Sequence, residues 1–158
     1  MNPDWLIIDG YNLLHCIDDL KSLLSSDIEL ARHRLVRHIE HTAHRMAQQT
    51  TIVFDGRESG QDAALTSKHM EIYFSPGQHT ADTIIERLVA KFPTPGKILV
   101  ITSDRAESDT VLSHGGQIMS CPEFLAQCKV DSRKTVRKQT RPGQEPKLGD
   151  LFPDDLEL

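Results

Sequence analysis

The sequence lacks the features that mark several large classes of protein. No apolar run reaches the roughly 18 residues that a membrane-spanning helix needs, and Met1–Asp4 is not a basic leader, so we expect no secretory signal. The three cysteines, Cys16, Cys121 and Cys128, form no CxxC pair. An odd number without such spacing is typical of reduced thiols. We therefore expect a cytoplasmic protein without disulfides and without a membrane partner.

Aromatic residues and positive charge are also scarce. The chain has 158 residues, of which 5% are aromatic, and its net charge is -5. Residues 1–128 carry 11 basic against 17 acidic side chains, whereas residues 129–147, the basic arm, carry 7 against 2. Such a body cannot hold nucleic acid by bulk charge, although the arm can contact phosphates. The length predicts one domain over 1–128, followed over 129–158 by a basic and then acidic tail that is flexible or docks elsewhere.

Five short apolar runs alternate with helical patterns along the chain. Most runs are continuous and β-branched, as expected for strands covered on both faces. The runs are Trp5–Ile8, Thr51–Phe54, Met70–Phe74, Lys97–Thr102 and Gly116–Met119. Helices are predicted after a cap at Ser26 or Asp27, after Thr80, over 105–113, and over Pro122–Cys128. The alternation predicts an α/β fold with a mostly parallel five-stranded sheet.

Aspartates fall where the predicted strands end. Asp9, Asp55 and Asp104 each follow a strand, and Asp82 lies in the first turn of the helix after the third strand. In an open α/β sheet, ligands bind beyond the carboxyl ends of the strands. Each aspartate alone has an ordinary explanation as a turn or helix-capping residue. Four acids on one edge are harder to explain in that way.

Clustered carboxylates repel one another unless a cation lies between them. Hard oxygen ligands suit Mg²⁺ or Mn²⁺, and such a metal can activate water for attack on phosphorus. The pattern therefore favours phosphodiester hydrolysis. Asn12 can turn its carboxamide toward the same crevice, where it would orient a water or a phosphate, but a turn-forming asparagine is nearly as good an explanation.

The same segments resemble a known family. The opening Leu6–Leu14 segment, with the motif Asp9-Gly10-Tyr11-Asn12, looks like the start of NYN domains, a branch of the PIN-like nucleases. Four later segments follow in the order and approximate spacing of the YacP-like subfamily. They are Val53–Gly56, Thr80–Glu86, Val100–Asp104 and Gly115–Phe124. The resemblance spans roughly residues 4–128.

The resemblance implies a three-layer α/β/α PIN-like domain with metal-dependent endoribonuclease activity. Matching positions make Asp9, Asp82 and Asp104 the ligands of Mg²⁺ or Mn²⁺, and Asn12 and Asp55 complete or support the cluster. Some relatives are thought to act on messenger RNA at ribosomes, so RNA and the ribosome are expected partners. After Asp104 the sequence continues Arg105-Ala106-Glu107-Ser108-Asp109. Which of Glu107 and Asp109, if either, joins the site is left open.

Cations are needed at the rim because an acidic cleft does not hold RNA by itself. Arg57 and Arg105 directly follow two of the acidic segments, and each is either a phosphate ligand or a solvated side chain. The basic arm, with Lys134, Arg137 and Lys138, is the better electrostatic candidate. A second candidate is a stripe on the helix after Asp27, although a solvated polar face is the commoner reason for such a pattern. The stripe consists of His33, Arg37, His41 and Arg45.

Two other function classes remain open. The domain can be a PIN-like module that binds RNA or a ribosomal surface without cutting it. It can also be a small-molecule phosphatase, although Asp9-Gly10-Tyr11 lacks the second aspartate of an Asp-x-Asp motif and no glycine-rich phosphate loop is visible. Cleavage assays on RNA and on phosphomonoesters distinguish these classes.

Overall fold

A computed structural model describes residues 2–56 and 70–139 of the chain, with side chains up to Lys134. Within them lies a sheet of five strands. The strands are β1 (Trp5–Asp9), β2 (Gln49–Phe54), β3 (Met70–Phe74), β4 (Ile98–Ile101) and β5 (Gln117–Met119). They are all parallel and lie in the order β3-β2-β1-β4-β5. The predicted α/β fold is confirmed, and the central strand is β1.

Six helices connect or follow the strands in the described residues. They are α1 (Gly10–Leu14), α2 (Asp18–Lys21), α3 (Ile28–Met46), α4 (Ala81–Lys91), α5 (Arg105–Ser113) and α6 (Cys121–Gln139). The predicted caps are confirmed, because Asp27 accepts the Leu30 N–H and Thr80 accepts the Thr83 N–H. The sequence analysis missed α1 and α2, which are too short to show a helical period.

The last helix is longer than predicted. The pattern suggested a helix over Pro122–Cys128, whereas α6 continues to Gln139. No proline or glycine occurs between Lys129 and Gln139, and the lysine, arginine and glutamine residues there favour a helix. Backbone contacts divide the chain into two units, residues 1–128 and 129–158. The first eleven residues of the second unit therefore form helix rather than irregular chain.

Two apolar clusters cover the two faces of the sheet. Leu6 and Ile8 of β1 face one cluster, which includes residues of α3 and the first part of α6. Ile7 of β1 faces the other cluster, which includes residues of α4 and α5. Because alternate strand residues point to opposite faces, Asp9 shares the α4 and α5 face with Ile7. The result is three layers, with β1 in the middle of the sheet.

One arginine departs from the expected pattern of α3. Arg32 belongs to the polar set of this helix in the sequence, yet only 1% of its surface is exposed. Its guanidinium donates to the Tyr11 hydroxyl at 3.1 Å and lies over the rings of Phe54 and Phe74, 5.8 and 5.2 Å from their centroids. Cation–π contact and one hydrogen bond thus replace part of the lost hydration.

None of the helices in the described residues has the length and the hydropathy needed to cross a bilayer.

Candidate metal centre

Of the described helices that begin at the carboxyl edge of the sheet, three carry a predicted aspartate at their start. Asp9 ends β1 and caps α1, where the Asn12 N–H lies 3.4 Å from its Oδ1. Asp82 lies in the first turn of α4. Asp104 caps α5, where its Oδ1 accepts the Glu107 N–H at 3.0 Å. The positive ends of helix dipoles favour negative charge in these first turns, so the fold can gather carboxylates here.

Three carboxylates meet at this edge. Asp9, Asp82 and Glu107, the acidic trio, each offer an oxygen atom within 4.8 Å of the others. Asp9 and Glu107 are buried, with 8% and 2% of their surface exposed, and Asp82 is half-buried. The three residues come from a strand end and from the first turns of two different helices. Residues far apart in sequence therefore form one compact group of oxygens.

Burial raises the pKa of two members of the trio. The pKa of Glu107 rises to about 9, mainly because its carboxyl is buried and also because Asp9 is charged and close. The pKa of Asp9 is also raised by burial, although contacts with Glu107 and the Asn12 N–H oppose the rise. Two facing carboxylates have no hydrogen to share when both are ionised. Either a proton or a cation must lie between them.

The donor set fits a hard divalent cation. All three side chains offer carboxylate oxygens, which Mg²⁺ and Mn²⁺ prefer. Oε1 of Glu107 is buried and has no hydrogen-bond partner among the described residues. A carboxyl with a pKa of about 9 keeps its proton near neutral pH, and a cation bound at this position would displace that proton and compensate the charge of the carboxylate.

Glu107 rather than Asp109 belongs to the site. Asp109 is exposed, one half-turn further along α5. A sequence signal for Glu107 exists, because Asp104-x-x-Glu107 has the spacing of a capping box. In the structure, however, Thr102 replaces one half of that box. Its hydroxyl accepts the Asp104 N–H and donates to Oε2 of Glu107, both at 3.1 Å, which leaves Oε1 as the oxygen without a hydrogen-bond partner among the described residues. Sequence reasoning gave Thr102 no role.

Asp104 lies near the trio but is not part of it. Its charge is among the smaller causes that raise the Asp9 pKa, and its Oδ1 is occupied by the cap of α5. The predicted ligand role of Asp104 therefore stays a prediction. Asp55 is half-buried at the end of β2 and also lies outside the trio.

Asn12 connects the elements around the site. Its Oδ1 accepts the Ser103 N–H at 2.7 Å and the Cys121 thiol at 3.1 Å, and Ser103 Oγ accepts the Cys121 N–H at 3.0 Å. Burial raises the pKa of Cys121 to about 12, so the thiol remains protonated and can donate. Asn12 thus joins α1, the loop that carries Asp104, and the start of α6. The predicted contact of its carboxamide with water or phosphate stays a prediction.

The predicted RNA-binding cations are placed only in part. Arg105 is exposed as the first residue of α5, and Lys134 is exposed on α6. Arg57 lies outside the described residues. Arg137 and Lys138 lie on the described backbone of α6, but their side chains lie outside the description.

The basic stripe on α3 belongs to another layer of the fold. Arg37, His41 and Arg45 are exposed and His33 is half-buried. Helix α3 covers the face of the sheet opposite to α4 and α5. The stripe therefore does not extend the rim around the acidic trio.

Comparison with known proteins is consistent with the family suggested by the motifs. The family model described as "YacP-like NYN domain" matches residues 6–155, so the match continues beyond Cys128. YacP of Bacillus subtilis (strain 168) is 27% identical over 150 residues, which are 94% of this chain and 88% of that protein.

Two crystal structures of Rae1 (YacP) from Bacillus subtilis share the fold. A mutant form gives a TM-score of 0.74 at 27% identity and covers 94% of this chain and 89% of its own. A second structure gives 0.69 at 26% identity, with 89% and 86% covered.

Proposed function

The chain belongs to the YacP-like NYN family within the PIN-like nuclease superfamily, and from this premise we propose that it is a metal-dependent endoribonuclease. The observation that carries the proposal is the acidic trio, whose oxygens approach within 4.8 Å at the carboxyl edge of the sheet. The family model alone indicates a nuclease-type protein. The buried Glu107 Oε1, which has no hydrogen-bond partner among the described residues, supports a cation at this position, which would displace the proton that the raised pKa of about 9 otherwise retains.

Asp9, Asp82 and Glu107 would hold Mg²⁺ or Mn²⁺. When bound, such an ion lowers the pKa of water and stabilises charge on phosphate oxygens. The protein's contribution is to fix the ligands before substrate arrives. Asp9 is held by the start of α1, and Glu107 is held by the Thr102 hydroxyl.

The remaining predicted catalytic residues act around that centre. Asn12 holds the loop before α5 through Ser103, and Asp104 lies at the start of the same helix. We assign to Asn12 and Asp55 the placement of water or of the scissile phosphate, and Asp104 remains a candidate ligand of the same centre. Arg105, exposed beside Asp104, would meet the RNA backbone.

RNA is the substrate in this proposal, and the ribosome is a candidate partner in the cytoplasm. The body of the chain is acidic, so the basic arm must supply most of the affinity for phosphate. Its exposed Lys134 is available for such a contact, and Arg137 and Lys138 lie further along the same helix. Affinity that depends on the arm should fall steeply with added salt.

The test is cleavage of single-stranded RNA and of messenger RNA on translating ribosomes, with Mg²⁺ or Mn²⁺ and with a chelator. We expect internal cuts that require the metal. Asp9→Asn should reduce the rate at least about 1000-fold and leave the fold intact by circular dichroism, because it removes a charged ligand from the trio. The control is Asp18→Asn, which alters an exposed aspartate in α2.

Two results would contradict the proposal. A folded Asp9→Asn variant that cuts RNA at the wild-type rate would exclude the acidic trio as the centre. Wild-type protein that binds RNA or ribosomes but never cuts, with any divalent cation, would indicate a non-catalytic binding module instead.

A further inference from the structure

A row of paired residues runs across the sheet from the acidic trio on the central strand to the outer strand β3. In the parallel register, Asp9 pairs with Val53 of β2, and Val53 pairs with Tyr73 of β3. Partners in a parallel register point to the same face of the sheet. Tyr73 therefore lies on the same face and at the same height as Asp9. Two strand spacings of about 4.8 Å separate their backbones by about 10 Å.

The tyrosine at the end of this row is exposed. Tyr73 exposes 38% of its surface, whereas Val53 beside it is fully buried. Its backbone belongs to the ladder with β2, and no hydrogen bond or ring contact of its side chain is found among the described residues. It lies on β3, an edge strand of the sheet. A partly exposed aromatic side chain thus lies on the same face of the sheet as the candidate metal centre, about 10 Å along the row from Asp9.

Other exposed or aromatic residues do not share this position. Leu112 is more exposed, at 56%, but lies near the end of α5, two turns away from the start of that helix. Tyr11, which immediately follows the Asp9-Gly10 turn, packs on Phe54 at 4.9 Å between ring centroids and accepts a hydrogen bond from Arg32. Tyr11 is therefore committed to the core, and Tyr73 is the aromatic side chain left for a ligand at this edge of the described chain.

We propose that Tyr73 is a base-stacking residue, which holds a nucleobase of the RNA strand close to the phosphate bound at the acidic trio. The proposal rests on the proposed function and specifies how that site binds its substrate. About 10 Å is the span of one or two nucleotides of an extended strand. Stacking on an aromatic ring tolerates any base, because every base has a π-face. Binding at Tyr73 should therefore depend on the presence of a base rather than on its identity.

The experiment compares Tyr73→Ala and Tyr73→Phe in the full-length protein. Binding of a single-stranded RNA containing 2-aminopurine is followed by fluorescence in chelator, where cleavage is blocked, and kcat and KM are measured with Mn²⁺. Tyr73→Ala should weaken binding and raise KM about 10-fold with little change in kcat, and it should abolish the quenching of 2-aminopurine at one position of the RNA. Tyr73→Phe should retain the RNA affinity and the quenching of 2-aminopurine, because the aromatic ring remains. Leu112→Ala, at another exposed residue, is the control.

Abasic substitution of the RNA distinguishes stacking from a structural effect. Removal of the stacked base should weaken wild-type binding about 10-fold and should not weaken Tyr73→Ala further. A Tyr73→Ala variant that binds RNA and quenches 2-aminopurine like wild type would overturn the inference. The absence of RNA binding by both wild type and Tyr73→Ala would also overturn it.

The nuclease proposal fails separately from the stacking inference. If RNA is cut with metal and Tyr73→Ala cuts it with unchanged KM, the stacking role is wrong and the nuclease stands. If quenching depends on Tyr73 but RNA is never cut, the stacking role stands and the nuclease is wrong.

Discussion

The two faces of the sheet bury charges of opposite sign, and they treat them differently. On the face of α4 and α5, Asp9 and Glu107 lie close together with Asp82. On the face of α3, the guanidinium of Arg32 lies over the rings of Phe54 and Phe74. Each side has one buried polar atom without a hydrogen-bond partner among the described residues, Oε1 of Glu107 and Nε of Arg32.

The difference lies in what surrounds each charge. Ring faces and the Tyr11 hydroxyl stabilise the guanidinium of Arg32 within the protein. The neighbours of Glu107 include another carboxylate, which raises its free energy when it is ionised. Arg32 is therefore a structural charge that the fold itself compensates. In the acidic trio, burial and the neighbouring carboxylates instead raise the pKa of Asp9 and Glu107.

The largest expected effect tests whether Glu107 acts through its charge. Glu107→Gln should reduce metal-dependent cleavage about 1000-fold, roughly 4 kcal/mol of transition-state free energy, because one anionic ligand is lost. Asp109→Asn, on the same helix but exposed, should cleave like wild type. The measurement is kcat/KM on one RNA across a Mn²⁺ titration, and equal loss in both variants would remove the distinction between them.

The second effect tests whether Arg32 acts mainly through packing. Arg32→Ala should lower the free energy of unfolding by about 3 kcal/mol, since it leaves a cavity beside Phe54 and Phe74. Arg32→Met fills much of that volume without burying a charge, and it should remain within about 1 kcal/mol of wild type. Denaturant unfolding measures both. A methionine variant as unstable as the alanine variant would show that the charge itself is required.

The third effect is a dependence of stability on pH in chelator. A carboxyl whose folded pKa is raised stabilises the protein below its unfolded pKa, and this stability is lost as pH rises toward the folded pKa. For Glu107 the window runs from 4.5 to about 9, and the raised pKa of Asp9 adds to it.

The comparison with Glu107→Gln isolates this dependence from other titrating groups. The melting temperature of wild type should fall below that of Glu107→Gln as pH rises, by about 5 °C at pH 8, or roughly 2 kcal/mol. Saturating Mg²⁺ should reduce the gap, because it compensates the charge only in wild type. A gap that is independent of both pH and Mg²⁺ would contradict the assignment.

The smallest expected effect concerns Asn12, which links α1 to the loop before α5 and to the start of α6. Asn12→Ala removes the acceptor of the Ser103 N–H and of the Cys121 thiol, which should cost about 1 kcal/mol of stability. It should also lower kcat about 5-fold with KM unchanged, since Asp104 follows Ser103 directly. Asn2→Ala, at an exposed residue, is the control. An unchanged kcat would limit Asn12 to a purely structural role.

Local sequence patterns predict where the site lies, but they do not predict which acidic residues form it. Asp9 and Asp82 reach one edge because parallel strands and capped helices place them there, and both signals are local. The choice between Glu107 and Asp109 depends on the residue at which α5 begins. Once Asp104 is the cap, only Glu107 lies in the first turn and faces back toward β1.

Arg32 shows what local patterns cannot supply. Its place in a polar helix segment predicts exposure, which is the usual state of arginine. Its burial depends on Phe54, Phe74 and Tyr11, which come from two strands and another helix. The extension of α6 to Gln139 was missed for a simpler reason, because low apolar content was taken to indicate irregular chain although the residues favour helix.

The Phe54 ring contacts Arg32 and also lies against the turn that follows Asp9. A Cβ atom added to Gly10, the residue after Asp9, would collide with the Phe54 ring, and the same ring contacts Arg32 and Tyr11. A substitution that shifts the Phe54 ring on the Arg32 side should therefore also shift the turn that holds Asp9. Free-energy changes from combined substitutions at the two places will not be additive, so an engineer who stabilises the arginine side must re-measure the carboxylate side each time.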